Sequence, residues 1–322
     1  MRVLAHIVTF NAADIIDGTL AAVQHQTRPP DAILIIDNAS TDGTLDRTFP
    51  ENVHVIRNTA NLGVSGALEI GFGYALENGF DWMWILDHDS VAGPEALATL
   101  LKLYAGWPSS LQDEVGCIAC LPLDQPDGQP LHGCLFTRRG RVLINPAPEQ
   151  RHYLCHMTIW SGCLFRLAVV RRIGFPNPDY VIDRGELEYS YRLMKAGYKA
   201  FIHQDAVIRH NIRGAPSVAP KRFKIGPFSL KFYDLTPLRC YYICRNTLYF
   251  TLYEATDSRI VKFCELWRLR SRPGHSVLSG VAWQTTFLTL NFILRPHTHG
   301  AQIRACLRGI RDGITGNIAA RF

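Results

Sequence analysis

Two carboxylates one residue apart, Asp87 and Asp89, close the apolar run Trp82-Met83-Trp84-Ile85-Leu86. A run of that kind reads as a strand buried on both faces that stops where the acids begin. At the C-terminal edge of an open α/β sheet, where such sheets bind ligands, a carboxylate pair can hold a hard divalent cation. Magnesium or manganese held this way bridges to the phosphates of a substrate. The same residues fit a second arrangement, with Asp89 or Ser90 capping a helix that starts near Pro94. Other positions offer related chemistry. Glu186 and Glu188 stand at the start of a helical pattern, where a carboxylate is favoured by the helix dipole. His210 ends the apolar stretch Ala206–His210. Cys117 and Cys120 have CxxC spacing, but in an apolar strand their side chains point to opposite faces and no second CxxC exists, so they read as core.

Alternating apolar runs and helical patterns must position these groups. Over the first hundred or so residues they mark βαβ units and a parallel sheet. Strands are expected at Arg2–Phe10, Ala32–Ile36, Val53–Arg57 and Trp82–Leu86. Helices are expected at Asp14–Gln26, with Ile15, Leu20 and Val23 inward, and over about Ala67–Asn78. Asn38–Thr44 reads as a polar turn followed by a helix start. A helix follows Pro94 to about Tyr104. Val115–Leu121 and Trp160–Arg166 are strands, with residues 122–152 a hairpin or loop excursion between them. Ala168–Ile173 is a short helix, and Gly185–Ala196 a longer one closed by Gly197. Ala200–His203 and Ala206–His210 are expected as two short strands. Residues 211–237 lack periodicity and read as a mobile loop. Leu238–Glu254 and Asp257–Arg270 have helical spacing. Val277–Leu294 is too polar for a confident membrane span and suits an interfacial or core-packed helix, with Arg295, Arg304, Arg308 and Arg311 after it.

A chain of 322 residues with 47% apolar and 19% charged content folds, as one large domain or two smaller ones. Met1–Val8 is too short an apolar run for a signal peptide and lacks a small-residue cleavage site, and nine scattered cysteines suit reduced thiols in the cytoplasm. The net charge of +6 conceals an asymmetry. Residues 1–212 hold 17 Lys and Arg against 23 Asp and Glu, and residues 213–322 hold 17 against 5. Two domains are expected at those bounds. The basic one is either a solvated face or a contact for something anionic, with an anionic lipid surface favoured. No RNA-binding signature supports a nucleic-acid partner. Thr9-Phe10-Asn11-Ala12-Ala13-Asp14 stands where a dinucleotide-binding fold would carry GxGxxG.

Taken in order, the motifs resemble those of family 2 of the inverting, nucleotide-sugar-dependent glycosyltransferases, and most of all its rhamnosyltransferase-like branch, over roughly residues 3–212. The resemblance implies a GT-A fold: an α/β, Rossmann-like, mostly parallel sheet flanked by helices, here with a basic helical C-terminal region. Val8-Thr9-Phe10-Asn11 resembles the strand end that lines the nucleoside pocket, which implies donor contacts for Thr9 and Asn11. Ile36-Asp37-Asn38-Ala39-Ser40 resembles the segment whose acid meets base or ribose, here Asp37. Asn61-Leu62-Gly63 resembles a segment bordering the nucleotide. Asp87-His88-Asp89 occupies the Asp-x-Asp position, with Asp89 on the metal and Asp87 on the ribose or assisting the metal. His210 resembles the late histidine that completes the metal site. Asp183–Arg192 resembles the base segment, in which Arg192 frames Glu186 as base and Glu188 as competitor. It departs from the usual pattern by carrying Gly185 before the base and Glu in place of the commoner Asp. Trp160-Ser161-Gly162-Cys163 resembles the stretch beneath donor sugar and acceptor, and Tyr241-Tyr242-x-x-Arg245-Asn246 an element near acceptor or phosphates.

The expectation is therefore a Mn2+- or Mg2+-dependent inverting transferase. It would move a hexose, rhamnose among the candidates, from a dTDP- or UDP-linked donor to a glycan or lipid-linked acceptor. It would work as a peripheral protein on the inner face of the cytoplasmic membrane, in bacterial cell-surface polysaccharide synthesis. The alternative is a non-catalytic nucleotide-sugar-binding or scaffold protein of the same fold.

Overall fold

The computed structural model describes residues 1–124, 128–137, 140–210, 221–225, 228–232, 235–255 and 300–322. The expectations for 211–220, Asp257–Arg270, Val277–Leu294 and Arg295 lie outside the described residues. The chain divides into two compact units. The first comprises Met1–Leu135, Leu143–Val181 and Gly185–Arg213; the second comprises Phe136–Val142, Ile182–Arg184 and Gly214–Phe322.

In chain order the elements of the first unit begin with β1 (Val3–Thr9), α1 (Ile16–Gln24), β2 (Ala32–Asp37), β3 (Val53–Arg57) and α2 (Gly63–Glu77). Then come β4 (Trp82–Asp87), β5 (Val91–Ala92), α3 (Ala96–Ala105), α4 (Ser109–Glu114) and β6 (Val115–Asp124). After a small hairpin, β7 (Cys134–Thr137) and β8 (Gly140–Leu143), whose residues Phe136–Val142 belong to the second unit, follow β9 (His152–Cys155), β10 (Cys163–Arg166), α5 (Leu167–Ile173), α6 (Gly185–Lys195) and β11 (Lys199–His210). The main sheet has the order β3-β2-β1-β4-β10-β6-β11-β5, with β9 on β11. β1 pairs in parallel with β2 and β4, and β2 with β3. β10 is antiparallel to both β4 and β6, and β11 is parallel to β6. The C-terminal ends of β1, β2, β4, β6 and β11 consequently share one edge, where the start of β10 also lies.

Strand alternation divides the core into two layers. Leu4, Val8, Leu34, Ile36, Met83 and Ile85 pack with Ala67, Leu68 and Phe72 of α2 and with Tyr189 and Leu193 of α6. Val3, Ala5, Ile7, Ile33, Ile35, Trp82, Trp84 and Leu86 pack on the other side with Ile16, Leu20 and Val23 of α1 and with Leu97, Leu100 and Leu101 of α3. Each large apolar side chain buried this way contributes about 1.5–3 kcal/mol. Cys117 joins the first layer and Cys120 the second, as alternation requires.

Several local expectations are corrected. Ile16, not Ile15, faces inward from α1; Ile15 is 47% exposed. No helix follows Asn38–Thr44, where Asp37, Ser40, Asp42 and Thr44 satisfy the backbone as a loop instead. Neither Asp89 nor Ser90 caps α3, whose N-cap is Glu95. Trp160–Gly162 is a turn ahead of β10, with Gly162 at φ +87°. The two expected late strands are one strand, β11, interrupted where its register on β6 shifts between His203 and Val207.

In the second unit β12 (Lys221–Ile225) pairs antiparallel with β13 (Phe228–Phe232). α7 (Pro237–Tyr249) starts on Pro237, with the Thr236 hydroxyl accepting the Arg239 N–H. It continues as a π-helical turn, Phe250–Glu254, and packs on α8 (Gly300–Ile314). Among the described residues no helix is long and apolar enough to cross a membrane.

His6 of β1 is fully buried beneath α2. Its Nε2 lies 3.2 Å from the Ala67 carbonyl, so Nε2 carries the proton and donates it. A Cβ on Gly71 would stand 2.3 Å from the His6 ring, so only glycine admits the imidazole there. Burial lowers the His6 pKa from 6.5 to about 4, only partly offset by the Ala67 carbonyl. Between those values the unfolded chain binds a proton that the fold refuses, so stability falls as the solution is acidified below 6.5. Urea unfolding of the wild type and of His6→Asn at pH 7 and pH 5 should show the wild type losing about 2 kcal/mol relative to the variant. A pH-independent difference would mean that His6 takes up its proton as readily in the fold as in the unfolded chain.

Candidate active site

Parallel register brings the chemistry-bearing residues to the common edge. Val8 aligns with Asp87 and Thr9 with Asp37. His210 arrives from the far side of β10 at the end of β11. Asp87, Asp89 and His210 each offer a ligand atom, all within 4.8 Å of one another. Among the described residues this is the one group of three or more His, Cys, Asp or Glu side chains so arranged. His210 Nδ1 lies 3.1 Å from Asp89 Oδ1, and Nε2 lies 3.7 Å from Asp87 Oδ2.

The electrostatics show what holds the cluster together. Burial raises the Asp87 pKa, and the neighbouring Asp89 raises it further against the pull of His210. For Asp89 burial works the same way, yet the hydrogen bond and charge of His210 outweigh it and lower the pKa. Burial disfavours a charged His210, but the two acids reverse that and raise its pKa. His210 thus offsets part of the mutual repulsion of the two acids. A divalent ion would take over that charge compensation, and the donor set of two carboxylates and an imidazole suits it.

Three hydroxyls that sequence reasoning left without a site role brace the cluster. Ser90 Oγ lies 2.9 Å from His210 Nδ1 and 2.5 Å from Ser161 Oγ. Ser161 Oγ accepts the Asp87 N–H at 3.2 Å. Thr19 Oγ1 accepts the Ser90 N–H and donates to the His88 carbonyl. Ser90 was visible as a capping candidate, but serine beside an acid signals turns far more often than sites. Only the pairing of β10 between β4 and β6 reveals Ser161 as a neighbour of Asp87.

The remaining expected residues divide by what already engages them. Thr9 is fully buried, and its Oγ1 has no hydrogen-bond partner among the described residues. Asp37 is buried, accepting the Ser40 N–H at 3.0 Å and the Ser40 hydroxyl at 2.5 Å. Asn11, at φ +48°, accepts the Thr41 N–H and donates its own N–H to Ser40 Oγ. Asn61 is exposed and accepts the Gly63 N–H. Gly63 is at φ +73°, and a Cβ there would lie 2.0 Å from the Val181 carbonyl oxygen, so this turn tolerates only glycine.

Glu186 stands half-buried in the first turn of α6. Glu188 is 7% exposed and its carboxylate is committed to Arg192, with Nε–Oε1 and Nη2–Oε2 both at 2.8 Å. Burial pushes the Glu188 pKa up and Arg192 only partly restrains it. Arg192 also donates to the Ile173 and Phe175 carbonyls, so the Glu188–Arg192 pair fastens α6 to the segment after α5. Trp160 is 8% exposed, and its ring edge closes on Gly185, where a Cβ would lie 2.7 Å away. Arg245 has no exposed surface; its guanidinium stacks on Tyr242 and Tyr241 and donates to Asn246 Oδ1 and the Ala320 carbonyl. That environment is one of packing and leaves no face of Arg245 open to an acceptor.

An open, mostly parallel α/β sheet with the reversed strand β10 in its interior, and an Asp-x-Asp pair closing β4, is the arrangement of the GT-A fold. A GalNAc-T7 structure with UDP, GalNAc and Mn2+ superposes with a TM-score of 0.54 at 17% identity, over 65% of this chain and 43% of that one. The Pyrobaculum calidifontis mannosyltransferase PcManGT, in complex with GDP-Man and Mn2+, gives 0.55 at 15% identity, over 98% of this chain and 75% of that one. Residues 5–112 match the model of Glycosyl transferase family 2. The galactofuranosyltransferase GlfT1 of Mycobacterium tuberculosis is 29% identical over 65% of this chain and 69% of its own. The dTDP-rhamnosyl transferase RfbF of Shigella flexneri is 24% identical over 66% and 68%. The O-antigen chain rhamnosyltransferase RfbN of Salmonella typhimurium is 21% identical over 69% and 70%.

Ser90→Ala removes the hydroxyl beside His210 Nδ1. Because groups that orient a ligating imidazole are worth about 10–100-fold in metal affinity, Mn2+ binding measured by calorimetry should weaken by about tenfold. Unchanged affinity would show that Ser90 does not orient the ring.

Proposed function

We propose that the protein is a metal-dependent inverting glycosyltransferase. It moves a sugar from a nucleoside diphosphate to an acceptor hydroxyl during synthesis of a bacterial cell-surface glycan. The observation that carries this reading is the Asp87–Asp89–His210 cluster at the C-terminal edge of the sheet in a chain whose residues 5–112 match Glycosyl transferase family 2. Asp89 and His210 are the ligands, with Asp87 assisting or reaching the ribose. A bound divalent ion supplies charge compensation for the departing nucleoside diphosphate, and the imidazole favours manganese over magnesium.

Thr9, Asn11, Asp37 and Asn61 surround the nucleoside. Asn11 and Asn61 are exposed and offer amides that suit hydrogen bonds to a pyrimidine or ribose, whereas Thr9 and Asp37 are themselves fully buried. Glu186 accepts the proton of the acceptor hydroxyl as that oxygen bonds to the anomeric carbon from the face opposite the phosphate. The bond from the anomeric carbon to the phosphate oxygen breaks, and the diphosphate leaves with its electron pair. The commitment of Glu188 to Arg192 supports Glu186 as the base. Trp160 shapes this end of the site by closing on Gly185.

The names of the relatives support a galactofuranosyl or rhamnosyl donor linked to UDP or dTDP, and a glycan or lipid-linked acceptor. Contact with the inner face of the cytoplasmic membrane fits α8, on which Arg304, Leu307, Arg308, Arg311 and Ile314 form an exposed stripe at helical spacing.

The deciding experiment is a thermal-shift and calorimetry panel of dTDP-rhamnose, UDP-galactofuranose, UDP-galactose, UDP-glucose, UDP-N-acetylglucosamine and GDP-mannose, each with Mn2+ and with chelator. Mn2+-dependent stabilisation by one donor, with nucleoside diphosphate released on adding acceptor, is expected. Binding without any release would favour the non-catalytic reading. Asp89→Ala should abolish the Mn2+-dependent part of donor binding, and undiminished affinity would remove the metal assignment. Glu186→Gln should keep donor affinity within about twofold while transfer falls by at least about 100-fold, the lower range for loss of a general base. The same behaviour in Glu188→Gln alone would move the base to that residue.

A further inference from the structure

Asp183 and Arg184, the last two residues before α6, adopt φ +61° and +72°. Neither is glycine, and a side chain in the left-handed region persists only where its surroundings over-determine it. Within the second unit α7 provides that restraint. Arg239 grips the Asp183 carboxylate with two hydrogen bonds, Nε to Oδ2 at 3.1 Å and Nη2 to Oδ1 at 2.8 Å. Asn246 Nδ2 donates to the Ile182 carbonyl at 3.0 Å and to the Asp183 carbonyl at 2.7 Å. Arg184 Nε donates to Thr247 Oγ1 at 3.2 Å. Arg239 and Asn246 are seven residues apart on one helix and so share a face.

The amide of Asn246 has its own orienter. Arg245 Nε, 2.9 Å from Asn246 Oδ1, can only donate, which fixes the oxygen toward Arg245 and both amide protons toward the loop. Arg245 is held in turn by the rings of Tyr242 and Tyr241, 4.6 Å and 5.6 Å from its guanidinium carbon, and by the Ala320 carbonyl. All the named members of the Tyr-Tyr-x-x-Arg-Asn element therefore act in one chain of contacts that ends on the backbone of residues 182–183.

We infer that Arg239, Arg245 and Asn246 are positioning residues for Glu186: they set the backbone that enters α6, and Glu186 follows Arg184 by two residues. This inference rests on Glu186 being the base. It assigns the aromatic and basic element a role that requires no contact with acceptor or phosphate. An α6 released from this restraint would still fold through Leu187, Tyr189 and Leu193, but its first turn would fray and the Glu186 carboxylate would sample many positions.

The test uses the full chain and the variants Asp183→Asn, Arg239→Lys, Asn246→Asp and Asn246→Ala. Asn246→Asp is the sharpest, because it keeps the shape and the Arg245 contact but loses both donors to the loop. Hydrogen exchange of the Glu188–Ser190 amides, which donate the hydrogen bonds of the first turn, should quicken at least tenfold in Asp183→Asn and Asn246→Asp while the rest of α6 keeps its protection. With the donor that binds in the panel above, Mn2+-dependent release of nucleoside diphosphate should lose at least tenfold in kcat, with donor KM and Mn2+ affinity within twofold. Arg239→Lys should fall between wild type and Asp183→Asn. Unchanged exchange overturns the inference, as does a loss confined to KM. A variant that fails to fold is recognised by its melting transition and replaced by Arg239→Lys, whose exposed guanidinium edge makes it the mildest change. If the wild type itself releases nothing, the proposed function fails, and the exchange measurement alone decides whether α7 holds the loop.

Discussion

Two carboxylates at the end of one strand repel each other, and burial makes the repulsion worse by removing water that would screen it. Asp87 and Asp89 coexist because His210 stands against both. Much of the first unit serves that balance. The acids come from β4, the imidazole from β11, and the two strands are separated in the sheet by β10 and β6. The Ser90–Ser161 hydrogen bond spans the distance, so the ring is steered by hydroxyls from the acid-bearing turn and from the turn before β10. A divalent cation at this place would meet two carboxylates and an imidazole already gathered within 4.8 Å of one another.

The fold was legible wherever a single period dominated. β1, β2 and β4 lie within a residue or two of where their apolar runs put them, because strands buried on both faces leave nothing else for such runs to be. The polar run after Asp37 misled for a physical reason: Ser, Thr and Asp serve a loop and a helix cap equally well, and the choice depended on partners such as Asn11, brought in by β1. Ile15 and Ile16 were indistinguishable to a helical period whose phase could not be set without the sheet. Nor could a strand with a register shift be told from two strands, since periodicity breaks in the same way for both.

The site was legible in part. Asp87, Asp89 and His210 were expected together and are found within ligand distance of one another, although 121 positions separate His210 from Asp89 in the chain. Their motif spacing, rather than any local property, made the connection. Ser161 and Thr19 were silent because a hydroxyl announces nothing until its neighbours are known. Arg245, expected on the acceptor side, is fully buried. Arginine beside asparagine suggests an anion, but a guanidinium between two tyrosine rings satisfies its charge and its planar shape within the protein.

The register shift in β11 constrains how this chain can be lengthened or shortened. Before the shift, Ala200 and Ile202 belong to the core layer of α2 and α6; after it, Ala206 and Ile208 belong to the layer of α1 and α3. On β6 the partners of His203 and Val207 are the adjacent residues Cys120 and Leu121, so β11 carries three residues more than its neighbour at that point. An odd excess reverses the parity of the strand, and His210 inherits the reversed face. Lengthening or shortening this irregularity by two residues would preserve that parity. A change by one would turn the histidine to the opposite side of the sheet, away from its acids. Indels here are thus filtered by a rule of evenness, much as a coding sequence is filtered by threes.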